Sequence, residues 1–276
     1  MSETPQLIDQ DEGEYHADHS RISHSMLEVF RKSPRLFQGR FLTKEWTGDT
    51  SSALDFGKAA HALALESRKV YVPIPAEGVL NEQGHKKGAN WKAFEAANAG
   101  KILMKPDEVA DLKKIMAAID AHDRARKAIR CKAHRECVIH WTDADTGLPC
   151  KCRIDVLMEG MKLVIDLKTA DDNDPVWFAK TCYDRGYHRQ ADYYQNAIEA
   201  LTGERPQFLF VAAMKSPPYT VRVFPMHATF FAIGRTENRA DMAKLAQRYA
   251  DNCWEDDNHG QLEQPLEPPV WALKNL

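Results

Sequence analysis

The chain opens on polar, largely acidic positions through residue 20, and its first apolar periodicity begins after Ser23. Met26, Leu27, Val29 and Phe30 then share one face at helical spacing, with Ser23 as N-cap. That helix should stop at Ser33-Pro34, because a residue before proline avoids the helical region. Leu54, Phe56, Ala60, Leu63 and Leu65 predict a second helix over Ser51 to Ser67, with His61 in its middle. Tyr71 to Pro75 (YVPIP) reads as extended, and residues 76–90, rich in glycine and lysine, read as a loop. Trp91 to Ala99 fits a short helix. Pro106 opens a longer one carrying Val109, Leu112, Ile115, Met116 and Ile119.

Past residue 135 the period shortens to two. Glu136 to Trp141 alternates as a strand, Asp143 to Gly147 turns, and Pro149 to Met158 is a second strand. Glu159-Gly160 makes a tight turn into a third strand, Lys162 to Lys168. Helices are expected over Val176 to Tyr183 and Tyr187 to Leu201, strands over Gln207 to Ala213 and Thr220 to Phe224, and a long helix from His227 to Asn252. This order describes an α/β chain, a mixed sheet with helices packed on it. Residues 1–20 read as a flexible acidic tail and residues 254–276 as a proline-rich C-terminal tail around one domain, 21–253.

Composition narrows the class. Of 276 residues, 43% are apolar and 28% charged, an ordinary globular balance, and no apolar run is long enough to span a membrane. The start lacks the basic and apolar stretches of a signal peptide, so the expected location is the cytoplasm. The net charge of −3 makes any grip on a polyanion local rather than global. Cys131, Cys137, Cys150, Cys152, Cys182 and Cys253 include no C-x-x-C pair, and no four-ligand metal site can be assembled from them.

The chemistry lies in RIDVLMEGMKLVIDLKTA, Arg153 to Ala170. Asp166 and Lys168 share one strand face, and the hairpin brings Asp155 across from Ile165 or Asp166. A lone Asp-x-Lys is usually an ion pair on a solvated strand edge. Leu163, Val164, Ile165 and Leu167 instead mark a buried strand, where unpaired charge is costly. Two close carboxylates repel each other, and a divalent cation with oxygen ligands removes the conflict. A lysine beside them can orient a water or offset charge in the transition state, which suits metal-assisted phosphodiester hydrolysis.

Asp155 followed by Asp166-Leu167-Lys168 resembles the signature of the PD-(D/E)XK nucleases, with Ile154 in place of the family's proline. Gln190 and Tyr194, four apart on one helix face, fit the Q-x(3)-Y motif of the RecB-like branch. GKAAHALALE, Gly57 to Glu66, resembles that branch's G-x-x-x-H helix. The hairpin from Glu136 and the opening helix SHSMLEVFRKSPRLF are similar to those of RecE-type exonucleases (exodeoxyribonuclease VIII), with lambda exonuclease a more distant relative. The resemblance covers roughly residues 21–250. Ser33 and the solitary Cys253 speak against the iron–sulfur cluster that some of these nucleases carry.

The resemblance implies a restriction-endonuclease-like mixed central sheet flanked by helices. It implies a magnesium-dependent exonuclease, with manganese able to substitute, that degrades linear double-stranded DNA from 5′ ends and leaves 3′ overhangs for recombination. His61, Asp155, Asp166 and the Leu167 backbone carbonyl would hold the metal, and Lys168 would position the attacking water. Gln190 would position Lys168 or the phosphate, and Tyr194 would support that helix or touch DNA. Glu136 is a further acid behind the metal ligands, with plain surface exposure as the alternative. Arg31, Ser33 and Arg35, with Lys32 and Arg40 nearby, are candidates for DNA phosphate, as at lower weight are Lys86, Lys87 and Lys92. A homo-oligomeric ring, trimer or tetramer, and a RecT-like single-strand annealing partner of phage type follow from the same resemblance. An endonuclease or single-strand exonuclease of this fold, a DNA-end-binding module without activity, and an unrelated phosphate-ester hydrolase stay open.

Overall fold

A computed structural model describes residues 4–48, 52–75, 77–81, 86, 88–256 and 267–268. Lys87 and, of the proline-rich C-terminal tail, residues 257–266 and 269–276 lie outside the described residues. In chain order the elements begin with β1 (Gln6–Ile8), α1 (Glu12–Ala17), α2 (His24–Lys32) and α3 (Pro34–Phe37), which runs into a π-helical turn at Gln38–Leu42. Ser23 caps α2 by accepting from the Met26 N–H at 3.3 Å, and Ser33 breaks it and caps α3 in turn. Next come α4 (Ser52–Leu65), β2 (Tyr71–Pro73), α5 (Gly88–Ala97), β3 (Ile102–Met104), α6 (Pro106–Ala121) and α7 (Asp123–Arg130). The period gave no sign of α7 or of the parallel β2–β3 pair.

The main sheet uses β1, β4 (Ala133–Thr142), β5 (Pro149–Met158), β6 (Leu163–Ala170), β7 (Gln207–Met214) and β8 (Val221–Pro225), in the order β1-β4-β5-β6-β7-β8. All neighbours are antiparallel except β6 and β7, whose parallel pairing needs the crossover made by α8 (Pro175–Asp184) and α9 (Tyr187–Thr202). The last helix, α10 (Ala228–Asp251), packs along α9. Gly234 permits that approach, since a Cβ there would lie 2.4 Å from the His188 carbonyl oxygen.

Strand alternation divides the core. On one face Phe30, Phe37, Ile139, Trp141, Cys150, Cys152, Tyr193, Phe208 and Phe210 pack under α2, α9 and α10. On the other, Val156, Ile165, Leu167, Val211 and Ala213 pack against Ala59 and Ala60 of α4 and Leu112, Ile115 and Ile119 of α6. Each such aliphatic side chain withdrawn from water contributes roughly 1.5–3 kcal/mol.

Within the flexible tail expected over residues 1–20, the described residues 4–20 are instead folded onto the sheet. β1 pairs with β4, Leu7 opposite Ile139, and α1 buries Tyr15. Lys151 supplies the reason. Its side chain is fully buried in β5, and its ammonium donates to the backbone carbonyls of Tyr15 and Asp18. It also sits 4.4 Å above the Tyr15 ring. A buried ammonium needs acceptors, and the N-terminal segment provides them.

Candidate active site

The β5–β6 hairpin does not stay zipped. Paired residues are Leu157 with Val164 and Val156 with Ile165. The next positions in that register, Asp155 and Asp166, are where the strands splay. Leu167 follows in the fork, and both of its backbone groups take side-chain partners. Its N–H donates to Asp155 Oδ2 at 2.8 Å, and its carbonyl oxygen lies 2.7 Å from His61 Nε2. Motif side chains thus replace ladder bonds that splaying removes.

Two groups of side chains line the fork. From the α4 side, His61, Glu136 and Asp155 each present a ligand atom, all within 4.8 Å of one another. His61 Nδ1 is 3.5 Å from Asp155 Oδ2 and 3.9 Å from Glu136 Oε1. Glu136 reaches inward from β4 with φ +48°, a left-handed backbone inside a strand. Its neighbours pair regularly, Arg135 with Val156 and Cys137 with Ile154, so the twist is confined to the residue facing Asp155. Such backbone strain in a non-glycine residue concentrates at functional sites.

From the α9 side, Lys168 Nζ lies 2.6 Å from Asp166 Oδ1, donates to Gln190 Oε1 at 2.9 Å and sits 4.6 Å above the Tyr187 ring. Gln190 in turn donates to the Tyr194 hydroxyl at 2.9 Å. Asp166 is fully buried, and its carboxylate oxygens accept no well-angled hydrogen bond.

The charges follow this layout. Burial alone would pull the His61 imidazole down; Asp155 and Glu136 outweigh it and raise it to about 9. Burial pushes both Asp155 and Asp166 up, against the pull of His61 and Lys168. Lys168 is held up as an ammonium, since Asp166 and Asp155 overcome its burial. His61 therefore stands as a cation among carboxylates, occupying the electrostatic role that a bound metal would take. A cluster of oxygen ligands with one imidazole and a second, fully buried carboxylate fits a hard divalent ion.

The fork opens into a cleft of about 410 Å³ lined by both groups. One wall was not legible in the sequence. Arg153 Nε lies 3.0 Å from Glu136 Oε2, and its other nitrogens lie 3.7 Å from Glu66 and 3.8 Å from Glu12. Arg68 lies 2.8 Å from Glu66. Arg153 shares a strand face with Asp155, a period-two signal that could have found it; Glu12 arrives from the supposed tail, where no local pattern points to the cleft.

The structure brings together His61, Glu136, Asp155, Asp166, Leu167, Lys168, Gln190 and Tyr194. Glu136 lies in one cluster with His61 and Asp155, while Asp166 is engaged with Lys168. The basic candidates of the opening helices do not line the cleft. Arg31 is ion-paired to Asp241 and lies 3.6 Å from Glu237. Ser33 donates to Asp256 at 2.6 Å, and the Arg35 backbone N–H donates to the same carboxylate. Lys86 stacks 4.4 Å over Trp91, and Lys92 is exposed; neither lines the cleft.

No curated protein matches the sequence. The fold matches a crystal structure described as "Putative exonuclease" from Eubacterium rectale, at 15% identity and a TM-score of 0.63, covering 97% of this chain and 98% of that chain. At that identity the likeness bears on architecture, and it agrees with the restriction-endonuclease-like mixed sheet expected from the sequence. The match that reaches beyond architecture spans residues 23–258, the whole of the fork and its flanking helices, and by it the chain belongs to the family described as a PDDEXK-like domain of unknown function (DUF3799).

Proposed function

We propose that the chain is a divalent-metal-dependent deoxyribonuclease, and within that class an exonuclease that degrades linear duplex DNA from 5′ ends to leave 3′ overhangs. The observation that carries the nuclease reading is the splayed β5–β6 fork, which sets Asp155 and Asp166 beside Lys168 with His61 and Glu136 in reach. The 5′ polarity, magnesium as the metal, a ring-shaped homo-oligomer and a RecT-like annealing partner rest on the RecE resemblance.

His61, Glu136, Asp155, Asp166 and the Leu167 carbonyl are the groups that would hold the metal. When bound, such an ion polarises the phosphodiester and offsets charge on the leaving oxygen. Lys168, kept charged by Asp166 and aimed by Gln190, orients the attacking water and meets negative charge as it develops on the phosphoryl oxygens. Water adds to phosphorus as the bond to the 3′ oxygen breaks. Tyr194 fixes the Gln190 amide, so Lys168 enters the reaction in one orientation.

The test is linear duplex DNA labelled at one 5′ or one 3′ end, with a closed circular control, in magnesium and in EDTA. Early release of 5′-labelled mononucleotide from linear DNA alone, abolished by EDTA and by Lys168→Ala, is expected. Cutting of the closed circle would replace the exonuclease reading with an endonuclease. Absence of metal-dependent cleavage on either substrate would sink the enzymatic reading.

A further inference from the structure

The most exposed large apolar side chains among the described residues are Val176 at 77%, Trp177 at 59% and Leu54 at 56%. Isolated exposed hydrophobes need no explanation. Two of these three, Leu54 and Trp177, border one site. Leu54 lines the main cleft, and Trp177 lines a second hollow of about 150 Å³ that shares Thr169, Arg185 and Tyr187 with it. Tyr187 is the ring beneath the Lys168 ammonium. Trp177 therefore stands in a hollow that adjoins, through Tyr187, the lysine that would face the scissile phosphate.

The position of Trp177 is fixed by its helix. Asp174 caps α8 by accepting from the Val176 N–H at 3.0 Å, and Pro175 sets the first turn. Phe178, the next residue, is buried and stacked on Phe224 at 4.8 Å. Trp177 is thus held outward on a rigid turn. The hollow also contains Asp171 and Asp172; Asp171 is ion-paired to Lys215 at 2.7 Å and faces Arg185 at 3.9 Å. With Asp171 engaged by Lys215, Asp172 is the carboxylate that disfavours a phosphate there. A flat, uncharged ring is the part of a nucleic-acid strand that suits the position, while Lys58 and Arg185 on the cleft wall suit the backbone beside it.

We propose that Trp177 is a base-stacking platform. It receives the nucleobase next to the scissile phosphodiester, so the cleft takes an unpaired nucleotide rather than an intact base pair. The inference rests on the nuclease reading for the identity of the strand, but its test does not require cleavage.

The experiment is performed in EDTA with a short oligothymidylate and with an abasic oligomer of equal length. Oligothymidylate should quench tryptophan emission of the whole chain, and the abasic oligomer should not. Trp177→Phe should remove most of the quench while retaining affinity for oligothymidylate. Trp177→Ala should weaken that affinity roughly five-fold or more, the loss expected for one base–aromatic stack. Equal affinity for the two oligomers, or an undiminished affinity in Trp177→Ala, overturns the proposal. So does a drop in sedimentation coefficient in Trp177→Ala, which would assign the patch to a contact between copies of the chain. Base-dependent quenching through Trp177 in a chain that cleaves nothing would keep this inference and defeat the nuclease reading.

Discussion

Replacing Arg189 with methionine should loosen the scaffold that holds Gln190, its neighbour on α9, and the cost should depend on pH. The Arg189 guanidinium is nearly buried and donates to both oxygens of Glu28 on α2, at 2.5 and 2.8 Å, and to Glu237 on α10 at 2.9 Å. Burial would raise the Glu28 carboxyl, but hydrogen bonds from His24 and Arg189 reverse this and bring it from 4.5 down to about 2. At 1.36 kcal/mol per pH unit that drop is worth roughly 3.4 kcal/mol, a ceiling because Glu28 is 29% exposed. His24 and Arg189 share it, so about half, roughly 1.5–2 kcal/mol, belongs to Arg189. A depressed carboxyl stabilises fully above its unfolded value of 4.5 and loses that effect as pH falls toward about 2. At pH 3 the Glu28 contribution is down to roughly 1.4 kcal/mol, so the gap between wild type and Arg189→Met should narrow by about 1 kcal/mol. Urea unfolding at pH 7 and pH 3 measures both gaps. A gap of the same size at the two pH values would refute the argument, since the clamp would then act by packing and not by charge.

Asp155→Ala leaves the buried Leu167 N–H without its acceptor, at a cost of about 1–3 kcal/mol, whereas Asp155→Asn keeps an acceptor oxygen. Both should abolish cleavage, so an active Asp155→Asn enzyme would remove Asp155 from the chemistry. Gln190→Ala frees Lys168 from its acceptor and should lower kcat roughly a hundred-fold with little change in melting midpoint; unchanged kcat would end its positioning role. Glu136→Gln should weaken Mn²⁺ binding in calorimetry by about ten-fold or more, and wild-type affinity would return Glu136 to a purely structural ion pair with Arg153. Lys151→Met removes the ammonium that holds Tyr15 and Asp18, so cleavage by a glutamate-specific protease at Glu12 and Glu14 should speed up well before the core is cut; equal rates would show that β1 alone secures the segment.

The sheet and most helices were legible because their signals are local. Alternation from Pro149 to Met158 marks β5 to the residue, and Ser23, Pro106 and Gly203 sit where helix ends belong. What was lost needed distant partners. The β2–β3 pair joins residues 31 apart in sequence and has three residues per strand, too few to show a period. The segment 4–20 is polar because one side of it is solvated. Its anchors are Tyr15, the short β1 pairing with β4 and two backbone carbonyls, and backbone partners leave no mark in a sequence.

The site divides along the same line. Asp155, Asp166 and Lys168 could be singled out from the strand period and the hairpin, whereas Gln190, Tyr194 and His61 are named by the resemblance to the RecB-like motifs. The relation between Glu136 and the others could not be read that way. Its regular strand neighbours predict an ordinary backbone, and its approach to His61 comes with a left-handed φ that no strand period announces. That turn occurs opposite Asp155, one position beyond the last pair of the β5–β6 ladder. The two irregularities have one origin. A regular three-stranded meander would bond the Leu167 backbone to β5 and leave no opening for a substrate. Opening it leaves backbone groups and acids that must find new partners in a buried setting. His61, Arg153 and Lys168 meet that need, each facing one of Asp155, Glu136 and Asp166. The same three cations that allow the sheet to split are therefore those that shape the field inside the cleft. Structure and chemistry at this fork draw on one set of side chains.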